Sequence, residues 1–228
     1  MKLTKLLILG LVAATGVVVF LPRDAMAAPI SLDGFDQTCI GAILDDCTVQ
    51  SAGYLNTSDG RPSIAFQIQA GSTTDDGTIG SVLLFEPTSD SWTQLIEAHQ
   101  AYSYDIPAIT NSGLLYIGGY TSGTGSFNAD LLFNSTDDGT TWQQVDIDSW
   151  QNTITEKLSA GLAIWKGVQY DFDDWQNGMV ANTSLWRDDD ANCCATGGSA
   201  TIVFDIVDQV LTVTNVIYTA PDKDKSGS

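Results

Sequence analysis

From about residue 50 onward the apolar residues of this chain recur at every second position, and that period decides what it can build. Ile64, Phe66 and Ile68 alternate with polar neighbours, so an extended segment there has one dry and one wet face. Val82-Leu83-Leu84-Phe85, Leu114-Leu115-Tyr116-Ile117 and Leu131-Leu132-Phe133 are short apolar runs set among Gly, Ser, Asn and Asp, the residues that turn strands back. The plainest element is late in the chain, where Thr201–Val207 and Val210–Thr214 flank Asp208-Gln209. With those two residues as the turn, Ile206 faces Leu211 and Phe204 faces Val213, while Asp205 faces Thr212 on the other side. Register and burial then agree, which predicts a hairpin packed on a core.

The fold class that follows is mainly β, made of antiparallel hairpins, with one or two short helices near 150–180; an α+β arrangement is the alternative. Ser149 is placed to cap a helix in which Trp150, Ile154, Leu158 and Leu162 share one face, and a second helical turn is expected over 173–180.

At the other end Lys2 and Lys5 precede an uncharged apolar run from Leu6 to Leu21, then Pro22 and small residues at Ala25 and Ala27. This is the pattern of a signal peptide, expected over residues 1–27 with cleavage after Ala27. An uncleaved anchor is the alternative, since the run approaches the roughly 18 residues that span a bilayer. The remainder reads as a single mostly β domain over 28–220 and a disordered tail over 221–228. Removing residues 1–27 takes away three bases and one acid, so nine bases and 28 acids become six and 27, and the net charge moves from −19 to −21. Such a surface repels nucleic acid and anionic lipid, which excludes both as partners and leaves a glycan or an envelope protein. It also favours divalent cations or a saline habitat, although a soluble exported protein needs no special ion.

The cysteines are Cys39, Cys47, Cys193 and Cys194. In an oxidising compartment an even count points to disulfides, with three connectivities open. Pairing Cys39 with Cys47 leaves Cys193 and Cys194 to close a strained ring between neighbours. The expected pairings therefore tie the N-terminal segment to the Cys193-Cys194 turn.

Leu83-Leu84-Phe85 leads to Trp92, and 48 residues later Leu131-Leu132-Phe133 leads to Trp142, an echo near the period of propeller blades. Leu115-Tyr116-Ile117-Gly118-Gly119-Tyr120, followed by Asn128 to Phe133 and Trp142, resembles a kelch blade. Ser135-Thr136-Asp137-Asp138-Gly139-Thr140-Thr141-Trp142 resembles the Asp-box, S-x-D-x-G-x-x-W, which implies a hairpin turn with a structural role. Sialidase chemistry does not follow from it, because the three-Arg clamp of that family is missing: only Arg61 and Arg187 remain after cleavage. A wider resemblance rests on Phe127-Asn128-Ala129-Asp130, on Val145 to Trp150, on Leu162, on Trp165-Lys166-Gly167 and on Leu185-Trp186-Arg187. It ends in Asp189-Asp190-Ala191-Asn192-Cys193-Cys194-Ala195-Thr196-Gly197-Gly198. These segments are similar to a group of bacterial exported proteins ending in W-R-x-D-D-x-N-C-C-P-T-G-G before a β-hairpin, with Ala195 where Pro is usual. The resemblance implies export and a β fold and carries no activity.

Catalytic groups do not stand out. His99 is the only histidine, which excludes multi-His metal sites, and no phosphate-binding glycine loop occurs. Asp137 and Asp138 are the candidate calcium ligands, hard oxygens in a turn, and no other cofactor is expected. Trp186, Arg187, Asp188, Asp189 and Asp190 form the candidate ligand-binding loop; the alternative is a disulfide-pinned turn with Trp186 in the core. The expectation is an exported, periplasmic or extracellular protein that binds or builds without catalysing. A carbohydrate-active or other hydrolase, and an inhibitor or partner protein of the envelope, are the alternatives.

Overall fold

The computed structural model describes residues 29–41, 43–56, 62–75, 77–135 and 142–221. The signal segment 1–27, the turn carrying Asp137 and Asp138, and the tail from residue 222 lie outside the described residues. The first sheet is a meander of β1 (Asp45–Asn56), β2 (Pro62–Ser72), β3 (Thr78–Pro87) and β4 (Trp92–Ala98). Six short strands follow: β5 (Ser103–Tyr104), β6 (Ala108–Ile109), β7 (Leu115–Ile117), β8 (Gly119–Tyr120), β9 (Leu131–Ser135) and β10 (Trp142–Val145). Of these, β10-β9-β7-β6 form the second sheet and β5 pairs with β8 in a ribbon. The third sheet is a meander of β11 (Gln169–Asp174), β12 (Gly178–Ser184), β13 (Ser199–Val207) and β14 (Val210–Thr219). Every strand pair within these sheets is antiparallel, and the fold is mainly β.

The apolar runs and the alternating segments take different places for a physical reason. A strand with core on both sides cannot hold polar residues on either without leaving them unmet, so it loses the period-two signal. In β9, Leu131 and Phe133 pack against Ile64, Phe66, Ile68, Val82 and Leu84 of the first sheet. Leu132 points the opposite way, into a core with Tyr170, Phe172, Ile202 and Phe204 of the third. The second sheet is therefore the middle layer. β3 is likewise dry on both faces, because Leu83 and Phe85 meet Leu32 and Phe35 of a strap formed by residues 29–41. By contrast β13 alternates, with Ala200, Ile202 and Phe204 buried and Thr201, Val203 and Asp205 on the other face. Each fully buried Leu or Phe of these runs contributes roughly 1.5–3 kcal/mol of transfer free energy.

The C-terminal hairpin has the expected register: Ile206 opposite Leu211, Phe204 opposite Val213, Asp205 opposite Thr212. Its turn residues Asp208 and Gln209 have φ of 51° and 61°, a left-handed pair that matches strand twist but disfavours side chains. The double substitution Asp208→Asn/Gln209→Gly puts the preferred Asn-Gly pair at this turn and is expected to stabilise the fold by about 1 kcal/mol. Urea unfolding would show this as a raised midpoint at unchanged slope; a lowered midpoint would contradict it. Both members of the Trp92/Trp142 echo are hairpins, with Trp92 opposite Pro87 and Trp142 opposite Ser135.

Three expectations are corrected. No α-helix forms among the described residues; the segment after Ser149 makes two 3₁₀ turns, Ser149–Asn152 and Ile154–Glu156. Trp150 and Ile154 are buried as their spacing requires, but Asn152, Thr153 and Thr155 are poor helix formers. Ser149 provides no cap, since its hydroxyl donates to Asp146. The expected helical turn over 173–180 is the β11–β12 hairpin bend. There Asp174 accepts from the N–H groups of Gln176 and Asn177, and Gly178 supplies φ of 78°.

The cysteines pair locally, Cys39 with Cys47 and Cys193 with Cys194. Cys39 belongs to the strap outside the first sheet, whereas Cys193 and Cys194 follow β12 of the third, so a cross pairing would have to span the stack. Closing the short 39–47 loop is worth about 2.5 kcal/mol by loop entropy, whereas a bridge between neighbours closes no loop worth counting.

Candidate functional site

The candidate loop after Trp186 uses its chemistry on itself. Trp186 is buried and stacks on Trp165, ring centroids 6.2 Å apart at 14°. The Asp190 carboxylate accepts from the backbone N–H of Arg187 at 2.7 Å, from the N–H of Thr196 at 2.8 Å and from the Thr196 hydroxyl at 2.6 Å. These bonds, the Thr196 hydroxyl first, hold the Asp190 carboxyl below its ordinary range. Leu185 closes the loop by donating to Gly198 and accepting from Gly197. Arg187, Asp188 and Asp189 are exposed around it, and the Cys193–Cys194 bridge lies at its exposed end. Among the described residues no group of three or more His, Cys, Asp or Glu is placed to hold a metal ion.

A different set of residues lines a cleft. Its volume is about 320 Å³, and Phe127, Asp148, Gln151, Ile154, Ile164 and Lys166 are prominent in its wall. Three segments meet there. The first, Phe127 to Asp130, enters β9, and Asn128 locks it to the third: its Nδ2 donates to the Val168 carbonyl at 2.8 Å and its Oδ1 accepts from the Val168 N–H at 2.7 Å. In the second, Asp146 is pinned against the C-terminal hairpin. Its N–H donates to the Gln209 carbonyl, and its own carbonyl accepts from Leu211, both at 2.8 Å. The Asp146 carboxylate then accepts from the N–H groups of Asp148 and Ser149, which folds Asp148 towards the cleft. The third, Ala163 to Gly167, is paired with Trp186 through two 2.9 Å backbone bonds.

Beneath the cleft is a buried polar cluster. The Tyr116 hydroxyl donates to Asp130, which also accepts from Asn128 Nδ2 at 2.6 Å. Trp150 Nε1 donates to the Tyr170 hydroxyl at 3.0 Å, and that hydroxyl donates to the Ile147 carbonyl at 3.1 Å. Burial raises Asp130, Tyr116 and Tyr170 above their ordinary ranges. Asp146 goes the other way, since the Ser149 hydroxyl and the two backbone donors outweigh its partial burial. Asp148 is pushed up to about 6, by burial first and then by the charges of Asp146 and Asp130.

Because this raises the folded value above the unfolded one, ionising Asp148 costs stability. That stability is whole below the unfolded carboxylate range and is lost as pH rises through about 6. Asp148 is nevertheless exposed to solvent, so screening leaves on the order of 1 kcal/mol at most. Asp148→Asn is accordingly expected to raise thermal stability at pH 8 and much less at pH 5. An equal change at both would refute the electrostatic account.

Nothing in the sequence singles out this cleft by motif. The chain matches no family model and no curated protein sequence.

Proposed function

We propose that this chain is an exported acidic protein of the periplasm or cell envelope that binds a partner or ligand without transforming it. One observation carries this reading: the cleft walled by Phe127, Asp148 and Lys166 holds no tryptophan and a single carboxylate, while Tyr54 and Trp92 stand with Asp33 and Asp90 along a separate, more open groove. Trp165 and Trp186 stack on each other, Trp92 packs on Tyr54, and Trp175 stands 86% exposed by itself at a hairpin bend. Asp190 serves its own loop, and the cleft presents one carboxylate, Asp148, where acid and base catalysis of glycoside hydrolysis takes two. Export is supported by the Lys2 to Ala27 pattern, and the Cys39–Cys47 bridge fits an oxidising compartment.

The test is a thermal-shift screen of the protein lacking residues 1–27 against calcium, glycans and cell-wall fragments, with and without reductant, paired with product analysis of every hit. A saturable shift without product is the expected result. Turnover that Asp148→Asn abolishes would replace this reading by the hydrolase.

A further inference from the structure

Resting on that binding reading, we propose that the Phe127–Asp148–Lys166 cleft is a site for a small zwitterion, an α-amino acid free or at the end of a short peptide. Three properties of the cleft point there.

The first is its pair of opposite poles. The described residues hold only three Lys or Arg side chains, Lys157, Lys166 and Arg187, in a chain with 28 acids, and one of them lines this cleft. The Lys166 ammonium lies 6.0 Å from the centroid of the Trp186 ring, a cation–π contact that orients it without neutralising it. Asp148 lines the same cavity, with Asp146 and Asp130 adding to the negative potential on its side. A ligand carrying a carboxylate and an ammonium satisfies both poles at once, and each contact is a charge-assisted hydrogen bond.

The second property is size. A cavity of about 320 Å³ encloses a single amino acid or the end residue of a peptide, at the small end of ligand sites. The third is the apolar wall. Ile154 and Ile164 flank the poles, and Phe127 stands 56% exposed at the rim, an apolar surface that a ligand side chain would cover.

The pH dependence follows from the groups around Asp148, namely Asp146 and Asp130, the Tyr170 hydroxyl and Lys166, which lines the same cleft. A bound ammonium favours the ionised form of Asp148, so affinity should fall as pH drops below about 6.

Isothermal titration of the protein lacking residues 1–27 tests this, using leucine, leucinamide, N-acetyl-leucine, a leucyl dipeptide and glucuronate at pH 5 and pH 7.5. Leucine or the dipeptide is expected to bind, with the amide and the N-acetyl form each weakened roughly tenfold or more by the loss of one pole. Preference between leucine and dipeptide separates the free from the peptide-borne ligand. Lys166→Met and Asp148→Asn should each weaken binding by a similar factor. Lys166→Arg should restore most of it, and Asp148→Asn should also flatten the pH dependence, with melting curves certifying each fold. Equal binding of the blocked forms, or zwitterion binding untouched in Lys166→Met, would overturn the proposal. Glucuronate bound in place of leucine would overturn it too, while leaving the broader binding reading standing; conversion of any titrant would overturn that reading as well.

Discussion

Gln67→Leu should cost about 3 kcal/mol of folding stability, although it places an apolar side chain in a fully buried position. Gln67 lies on the strap-facing side of β2, where its amide holds residues 35–40 by their backbone. Its Nε2 donates to the carbonyls of Phe35 and, at 2.9 Å, Thr38. Its Oε1 accepts from the Ile40 N–H at 2.8 Å and from Gln69 Nε2 at 2.5 Å. Gln69 Nε2 donates in addition to the Ile40 carbonyl at 2.7 Å. Leucine satisfies none of these, and buried polar groups left unmet cost about 1–3 kcal/mol each before the strap loosens to reach water. In a domain of this size the loss corresponds to a fall of roughly 6–12 °C in Tm. Thermal and urea unfolding would check it, and a loss below about 1 kcal/mol would mean that the strap is held by Leu32 and Phe35 alone.

Gly167→Ala is expected to cost a similar amount, about 3 kcal/mol, by a different route. The conformation at Gly167 is ordinary; space is what it lacks. A Cβ there would stand 2.1 Å from the Ser126 carbonyl oxygen and 2.9 Å from Asn128 Oδ1. Neither neighbour is the loose end of a flexible chain, because Asn128 is held by both backbone bonds to Val168. The segment carrying Lys166 must therefore back away from the segment carrying Phe127. Ligand binding in the cleft should weaken along with stability, and unaltered unfolding would contradict the close approach.

The legible part of this fold is whatever a strand's own period dictates. The pairing of Phe204 with Val213 and of Ile206 with Leu211 follows from which residues must be dry, and the turn at Asp208-Gln209 follows from the register. The apolar runs identify strands but not their depth. Leu131-Leu132-Phe133 means burial on two faces only once there are sheets on both sides, and nothing local to the run says which sheets they are. The helix expected after Ser149 does not form because a four-residue spacing of Trp150, Ile154 and Leu158 records which side chains seek the core, and short 3₁₀ turns deliver them as well. The disulfides are unreadable for the same reason, since the separation of the strap from the 185–198 loop is a tertiary fact.

The site is harder still. Asp148 and Lys166 are 18 residues apart and carry no motif. Their meeting depends on Asn128, a polar residue that copies a strand's hydrogen bonds with its side chain. Conversely Trp186 and Asp190, the most conspicuous pair in the sequence, are conspicuous because a loop closed on itself needs a large core residue and a multivalent acceptor.

The strap over residues 29–41 has a consequence for self-association. Layers of sheet laid face on face form a series with no natural last member, since each dry face invites another. At one end this protein finishes the series with the far side of the third sheet, where Asp171, Asn182, Thr201, Asp205 and Thr212 interrupt the apolar Val180, Val203 and Ile217. At the other end the first sheet turns Ala65, Leu83 and Phe85 outward, an apolar face that cannot end the series by itself. The strap is the terminator there, so resistance to stacking on further copies rests on some dozen residues that belong to no sheet.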